Sequence, residues 1–265
     1  MIEMFSYDFM QRAFLAGIII AILASVSGTF IVLRRYSMMS ETLAHSALVG
    51  VAVGLVGGYN PLWMAVIVAI LSAWLIEYLR SSFSLYSDAV LAIMLSGTLA
   101  VAVIVVSLGG ALNNSLFSYL FGSILSVSKE DIITISIFGS VSLGLLLIYA
   151  KELYFVAYDE EVAKTSGLKV VFLNYLLVSI AAVIIALSIR VVGSLLIGAL
   201  MVIPTASALQ YRVGFAKTIF ISLIIALLSV VFGMGLSFFF SLPSGATIVL
   251  SVLVLFVLSL VVNKQ

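Results

Sequence analysis

Apolar stretches about twenty residues long recur from one end of this chain to the other. A helix needs roughly 20 apolar residues, about 17 to 25 with tilt, to cross the hydrocarbon core of a bilayer. Such stretches lie at approximately 13–33, 42–58, 61–79, 89–108, 131–150, 170–189, 191–210, 217–240 and 245–262. The chain is 64% hydrophobic and 9% charged over 265 residues. A soluble domain carries about a quarter charged residues, so this chain lacks the polar surface to cover itself in water. The pattern predicts an all-α polytopic membrane protein with eight to nine transmembrane helices. The stretch near 191–210 is broken by Gly193, Gly198 and Pro204, which leaves either nine spans or eight full spans plus a short, discontinuous one. Residues 115–127, SLFSYLFGSILSV, are too short to span and read as an interfacial or re-entrant piece.

Long hydrophilic segments are absent from the sequence, so residues 1–265 read as a single transmembrane domain whose longest polar loop lies near 151–169. The net charge of +1 and the lack of a basic stripe argue against nucleic acid as a partner. Disulfides and thiolate metal ligands are excluded because the chain has no cysteine. The opening segment, MIEMFSYDFMQRAF, has acidic residues and no basic n-region, so the first apolar stretch is expected to stay as an anchor. Orientation follows lysine and arginine. With the amino terminus outside, Arg34, Arg35, Arg80, Lys151, Lys164, Lys169, Arg212, Lys217 and Lys264 face the cytoplasm, and only Arg12, Lys129 and Arg190 lie at the outer side. The carboxy terminus is then expected in the cytoplasm. The sequence contains no G-x-x-x-x-G-K-[ST], so any ATP that drives this protein is bound by another chain.

The single histidine of the chain, His45, follows Glu41 by four positions at the start of an apolar run. On a helix these two share a face. A carboxylate oxygen and an imidazole nitrogen can converge there on one divalent cation: imidazole suits Zn²⁺ and Fe²⁺, and the carboxylate adds tolerance for Mn²⁺. Ionisable residues in a span cost about 2.5 to 3.5 kcal/mol on insertion scales, which makes them functional candidates. The spacing is equally compatible with Glu41 complementing the helix dipole and His45 being a packed ring bonded to a carbonyl. Two ligands are too few for Zn²⁺, which takes four. A two-fold homodimer with the pair on its axis would supply two of each.

Three further stretches stand out. RVVGSLLIGALMVIPTASALQYR, 190–212, is rich in small residues that let helices approach closely. Ser194, Pro204, Thr205 and Ser207 are its candidates for lining a pathway, and a proline-kinked packing helix is the alternative. AYDEEVAKTSGL places Asp159, Glu160 and Glu161 before a short amphipathic turn that ends at Gly167. This is either a docking element for a soluble partner or a solvated loop helix. LSFFFSLPSGATIVL, 236–250, contains a Pro-Ser-Gly turn, with Ser241 as a lining candidate on the outer side. Asn113 and Asn114 are weaker lining candidates on another outer loop.

Taken in order, these pieces resemble the permease subunits of bacterial zinc/manganese/iron-uptake ABC transporters. That family's pattern R-R-x-S-x-x-[GS]-[DE]-x-x-x-H stands here as Arg34-Arg35-Tyr36-Ser37-Met38-Met39-Ser40-Glu41-Thr42-Leu43-Ala44-His45. GSLLIGALMVIPTASA is similar to its seventh-segment signature, LPSGATIVL to its final turn, and YDEEVAKTSGL to its cytoplasmic coupling loop. The resemblance implies a type II-like ABC importer permease in a prokaryotic cytoplasmic membrane. It is not itself an enzyme and holds no permanent cofactor. A homodimer would sit on two ATPase subunits and receive a divalent metal, Zn²⁺ or Mn²⁺ foremost, from an extracytoplasmic binding protein. Glu41 and His45 match the intramembrane ligands, and Glu161, Ala163 and Gly167 match the loop that docks on the ATPase. Two departures are visible. Glu41 stands where many members have Asp, and Ser241 stands two residues before Pro243, where an acid is common.

The main rival is a stand-alone, ion-coupled metal carrier with Glu41 as its proton-coupling acid. Carriers of that type often show internal repeats, and the two halves of this chain have no convincing self-similarity. An intramembrane metalloenzyme is weaker still, because the chain has no third ligand beside the pair and no H-E-x-x-H.

Overall fold

The computed structural model describes residues 6–83, 86–108, 113–123 and 126–262, with backbone alone for 113–116 and 262. Residues 1–5 of the opening segment, Lys264, and the side chains of Asn113 and Asn114 therefore lie outside the described residues. Every regular element among those residues is helical: α1 (Asp8–Leu33), α2 (Ser37–Gly57), α3 (Pro61–Ser82), α4 (Ser87–Leu108), α5 (Asn113–Phe121), α6 (Lys129–Ile148), α7 (Ala150–Tyr158), α8 (Glu160–Thr165), α9 (Val170–Val192), α10 (Ile197–Leu209), α11 (Phe215–Phe240) and α12 (Ser244–Val262). Eight of them, α1 to α4, α6, α9, α11 and α12, are long and apolar enough to cross a membrane. The chain is a multi-pass membrane protein.

The ninth apolar stretch, near 191–210, does not fold as one long helix. Its first residues extend α9 to Val192, and the remainder forms α10, which has 13 residues. At 1.5 Å per residue α10 is about 20 Å long, short of the roughly 30 Å hydrocarbon core. Gly193 ends α9 with φ +90°, a conformation that strains any side chain. Pro204 sits inside α10 with no N–H to donate to the carbonyl one turn back.

Burial sorts the helices. α1, α2 and α9 are mostly buried and form the centre, whereas α4, α6, α11 and α12 expose most of their surface as a rim. The short α10 packs against α1, α2, α9, α11 and α12. Its hydroxyls tie the bundle together: Thr205 Oγ1 is 3.3 Å from Thr29 Oγ1 in α1 and 3.1 Å from Ser222 Oγ in α11. At Gly28 a Cβ would lie 2.1 Å from the Met201 carbonyl oxygen, so α1 and α10 touch backbone to backbone.

The short piece near 115–127 becomes α5, which ends at Phe121, followed by a turn at Gly122. α5 closes the break between α9 and α10. Ser194 N–H donates to the Tyr119 carbonyl at 2.8 Å, Leu195 N–H to Leu120 at 3.3 Å, and Ser123 N–H to Arg190 at 3.1 Å. Ser244 Oγ at the head of α12 donates to the Val191 carbonyl at 3.1 Å. Helix ends leave carbonyls without partners, and lipid offers none; here the broken ends satisfy one another. Gly122, with φ +74°, interlocks with the same break, since a Cβ there would lie 2.5 Å from the Val191 carbonyl oxygen.

The polar loop near 151–169 is two helices, α7 and α8, rather than an open strand of chain. Leu153, Val156 and Ala163 are buried in one apolar cluster with Phe30 of α1 and Val170 and Leu173 of α9.

Candidate functional site

Glu41 and His45 lie on the second and third turns of α2, at the spacing that puts them on one side of the helix. Glu41 is exposed and borders a cavity of about 300 Å³ between the start of α2 and residues 194–203. Ser37, Met38 and Ser40 line it from α2, and Ser194, Gly198 and Val202 line it from the other side. Gly198 faces that turn of α2: a Cβ there would sit in ordinary contact, 3.4 Å from Ser40 Oγ and 3.5 Å from Glu41 N. The break at Gly193 and the first turns of α10 thus stand against the helix that carries the carboxylate.

His45 is 7% exposed, and its Nδ1 has no hydrogen-bond partner. Ser194 Oγ, on the wall of the cavity that Glu41 borders, is also buried without a partner. Buried polar atoms are ordinarily bonded, and leaving one unpaired costs about 1–3 kcal/mol. A nitrogen lone pair, a hydroxyl oxygen and a carboxylate are all donors that a hard or borderline divalent cation accepts. Within one chain the set stops there. Among the described residues, no three His, Asp or Glu side chains gather where they could hold a metal ion.

The other residues singled out from the sequence fall in different places. Pro204, Thr205 and Ser207 are buried in helix packing, with Ser207 Oγ donating to the Ile203 carbonyl at 2.8 Å. Ser241 caps α11 in the left-handed region at φ 53°. It lines a cavity of about 610 Å³ with Phe9, Phe117, Phe121 and Pro243, at the opposite end of α11 from the Thr205 bridge. Asp159 caps α8, accepting from the Glu161 and Val162 N–H groups at 3.0 Å each. Gly167, at φ +84°, closes α8 as the Leu168 N–H returns to the Ala163 carbonyl at 3.2 Å. Glu161 is exposed, and Ala163 is fully buried. Glu160 turns inward and pairs with Arg34 at 2.9 Å and Arg80 at 3.7 Å.

Sequence reasoning missed two ion clusters. Arg190 of α9 pairs with Asp131 at the head of α6 and donates to the Tyr119 hydroxyl at 3.2 Å. It therefore holds α5, α6 and α9 together. The second cluster joins Arg34, Arg80, Glu77, Glu160 and Asn174 around Tyr36. Burial pushes the Tyr36 phenol up to about 12 against the pull of Arg34 and Arg80. Burial also pushes the Glu160 carboxyl up, but Arg80, Arg34, Lys164 and the Asn174 amide outweigh it and hold the group below its ordinary value. The only sequence signal for either cluster was a charged residue at the edge of an apolar run.

Residues 6–263 match the family model of the ABC 3 transport family. The chain belongs to that family. It is 33% identical over 249 residues, covering 92% of this chain and 94% of the relative, to the high-affinity zinc uptake system membrane protein ZnuB of Buchnera aphidicola. It is 30% identical over 254 residues, covering 96% and 91%, to the manganese import system permease protein ScaB of Streptococcus gordonii. The solved structure of PsaBC from Streptococcus pneumoniae in complex with Fab aligns with a TM-score of 0.85 at 30% identity, over 96% of this chain and 91% of that one. The helical order described above is thus the architecture of an ABC 3 permease.

Proposed function

We propose that this ABC 3 family member is the membrane-spanning subunit of an importer that carries a divalent transition metal, Zn²⁺ or Mn²⁺, into the cytoplasm of a prokaryote, driven by a separate ATPase. One observation carries the reading: an unpartnered, buried His45 Nδ1 stands one turn from a carboxylate that opens onto a cavity. The names of the zinc and manganese relatives support the class of cargo. Because the described residues of one chain supply two such ligands and no more, the site is completed by a second copy across a two-fold axis. The amino terminus lies outside and the carboxy terminus in the cytoplasm, which sets α7 and α8 where two ATPase subunits dock. Metal arrives from an extracytoplasmic binding protein at the opposite end.

The chemistry asked of the chain is binding and release. A dication entering hydrocarbon is stabilised by two carboxylates and two imidazoles, and these are in turn relieved of their own desolvation cost while the cation is present. The test is ATP-dependent metal uptake in proteoliposomes containing this chain and its ATPase, with metal content measured on the purified complex. His45→Ala and Glu41→Ala are each expected to abolish uptake and bound metal while leaving a complex of unchanged size. Normal uptake by either variant would refute the assignment, and uptake driven by a proton gradient without the ATPase would favour the ion-coupled carrier.

A further inference from the structure

Three acids stand at the start of α8, and they do three different things. Asp159 is consumed as the helix cap, and Glu161 faces solvent. Glu160 alone reaches into the bundle, where it meets the ends of three helices. Arg34 Nη2, at the end of α1, donates to its Oε2 at 2.9 Å. Arg80 Nη1, near the end of α3, lies 3.7 Å from the same oxygen. Asn174 Nδ2, on the first turns of α9, donates to Oε1 at 3.4 Å. Lys164 lies 3.6 Å from Oε1 but is largely exposed.

The partners of Glu160 are themselves confined. The Arg34 side chain is 4% exposed, and among the described residues Glu160 is the one carboxylate paired with it. Arg80 already neutralises the buried Glu77 at 2.7 Å. The two guanidinium groups lie over the ring of Tyr36, at 5.2 and 5.3 Å from its centroid. Tyr36 is the last residue before α2, and only Arg34, Arg35 and Tyr36 separate α1 from α2. Arg35 holds φ 61° in that turn, a left-handed conformation unfavourable for a residue with a side chain. Five residues beyond Tyr36 stands Glu41. An unbroken, tightly packed path therefore runs from the first residue of α8 to the helix that carries Glu41 and His45.

We propose that Glu160 is a positioning residue that latches α8 to the α1–α2 turn, so that displacement of α8 is delivered to Glu41 and His45 as a movement of α2. The inference rests on the reading of α8 as the element on which an ATPase acts. A packed network with two discrete arrangements is the physical means by which separate sites couple. A carboxylate that meets two guanidinium groups at one oxygen can be released and remade as a unit.

The experiment uses the full-length chain assembled with its ATPase in nanodiscs, as wild type, Glu160→Gln and Glu160→Asp. Amide hydrogen exchange is followed over residues 37–45 and 160–165, with and without ATP, and uptake per ATP hydrolysed is measured in proteoliposomes. The wild type is expected to respond to ATP in both segments. Glu160→Gln keeps the response at 160–165 and loses it at 37–45, and its uptake per ATP falls about tenfold, within the usual range for coupling between sites. Glu160→Asp restores both. A variant that had merely lost structure would exchange faster in both segments without ATP and would not uncouple uptake from hydrolysis. An unchanged response at 37–45 in Glu160→Gln overturns the latch alone. Failure of Glu160→Gln to bind the ATPase assigns the residue to the docking surface and also overturns it. No response at 160–165 in the wild type overturns both the latch and the reading of α8 on which it rests.

Discussion

His45 and Glu160 are both titratable groups in a chain with little charge, and the structure treats them in opposite ways. His45 keeps a nitrogen without a partner, whereas Glu160 is saturated with donors. That contrast sets a pH dependence. A carboxyl held below its ordinary value of 4.5 adds stability that is complete above 4.5 and is lost as pH falls through the lowered value. Acidification below about 4.5 is therefore expected to loosen α8 from α1 in the wild type, seen as faster exchange at 160–165, and to have little further effect on Glu160→Gln. That Glu41 and His45 share one side of α2 was legible from the sequence because four residues on a helix are one turn in space. The Arg34–Glu160 pair was not, because 126 residues separate the partners and no local period links them. The inward turn of Glu160 beside the exposed Glu161 was illegible for a related reason. Neighbouring acids on a short helix look alike until the bundle behind them is known.

At the scale of elements, the helices are held by close backbone approach as much as by side-chain packing. Membrane helices gain little from burying apolar surface, since lipid is as apolar as they are. Gly28 of α1 against Met201 of α10 is the tightest such contact between those two helices described above. Gly28→Ala is expected to cost about 1–3 kcal/mol through overpacking, read as a lower midpoint in thermal unfolding in detergent. Gly97→Ala on α4 meets nothing within 4 Å, so it is expected to be neutral or to stabilise by up to about 1 kcal/mol through helix propensity. The break before α10 was readable in Gly193 and Pro204, while at the start of α3 Asn60 accepts from the Leu62 N–H at 3.0 Å ahead of Pro61. The role of α5 was not readable. Its length argued only against a span, and its Tyr119 and Leu120 carbonyls accept from the N–H groups of Ser194 and Leu195, 75 residues on in the chain.

For the molecule as a whole, the proposed orientation makes a simple demand on accessibility. The sequence has no cysteine, so a single introduced thiol reports its own side without background. Tyr59, between α2 and α3, and Ser166, after α8, are both exposed. In intact cells a membrane-impermeant maleimide is expected to label Tyr59→Cys and to spare Ser166→Cys until the membrane is opened; the reverse pattern would invert the orientation. The eight long spans were legible from apolar length alone because hydrocarbon imposes that length. Their arrangement was not, because which of eight similar helices are central depends on where small residues and hydroxyls find one another in three dimensions.

A layer of oil insulates only as well as its thinnest place. α10 supplies about 20 Å of regular helix where the slab is about 30 Å thick, and turns rich in peptide dipoles make up the difference. Those dipoles soften the Born penalty for an ion beside them, so in the proposed importer the cheapest route for a doubly charged guest runs along α10.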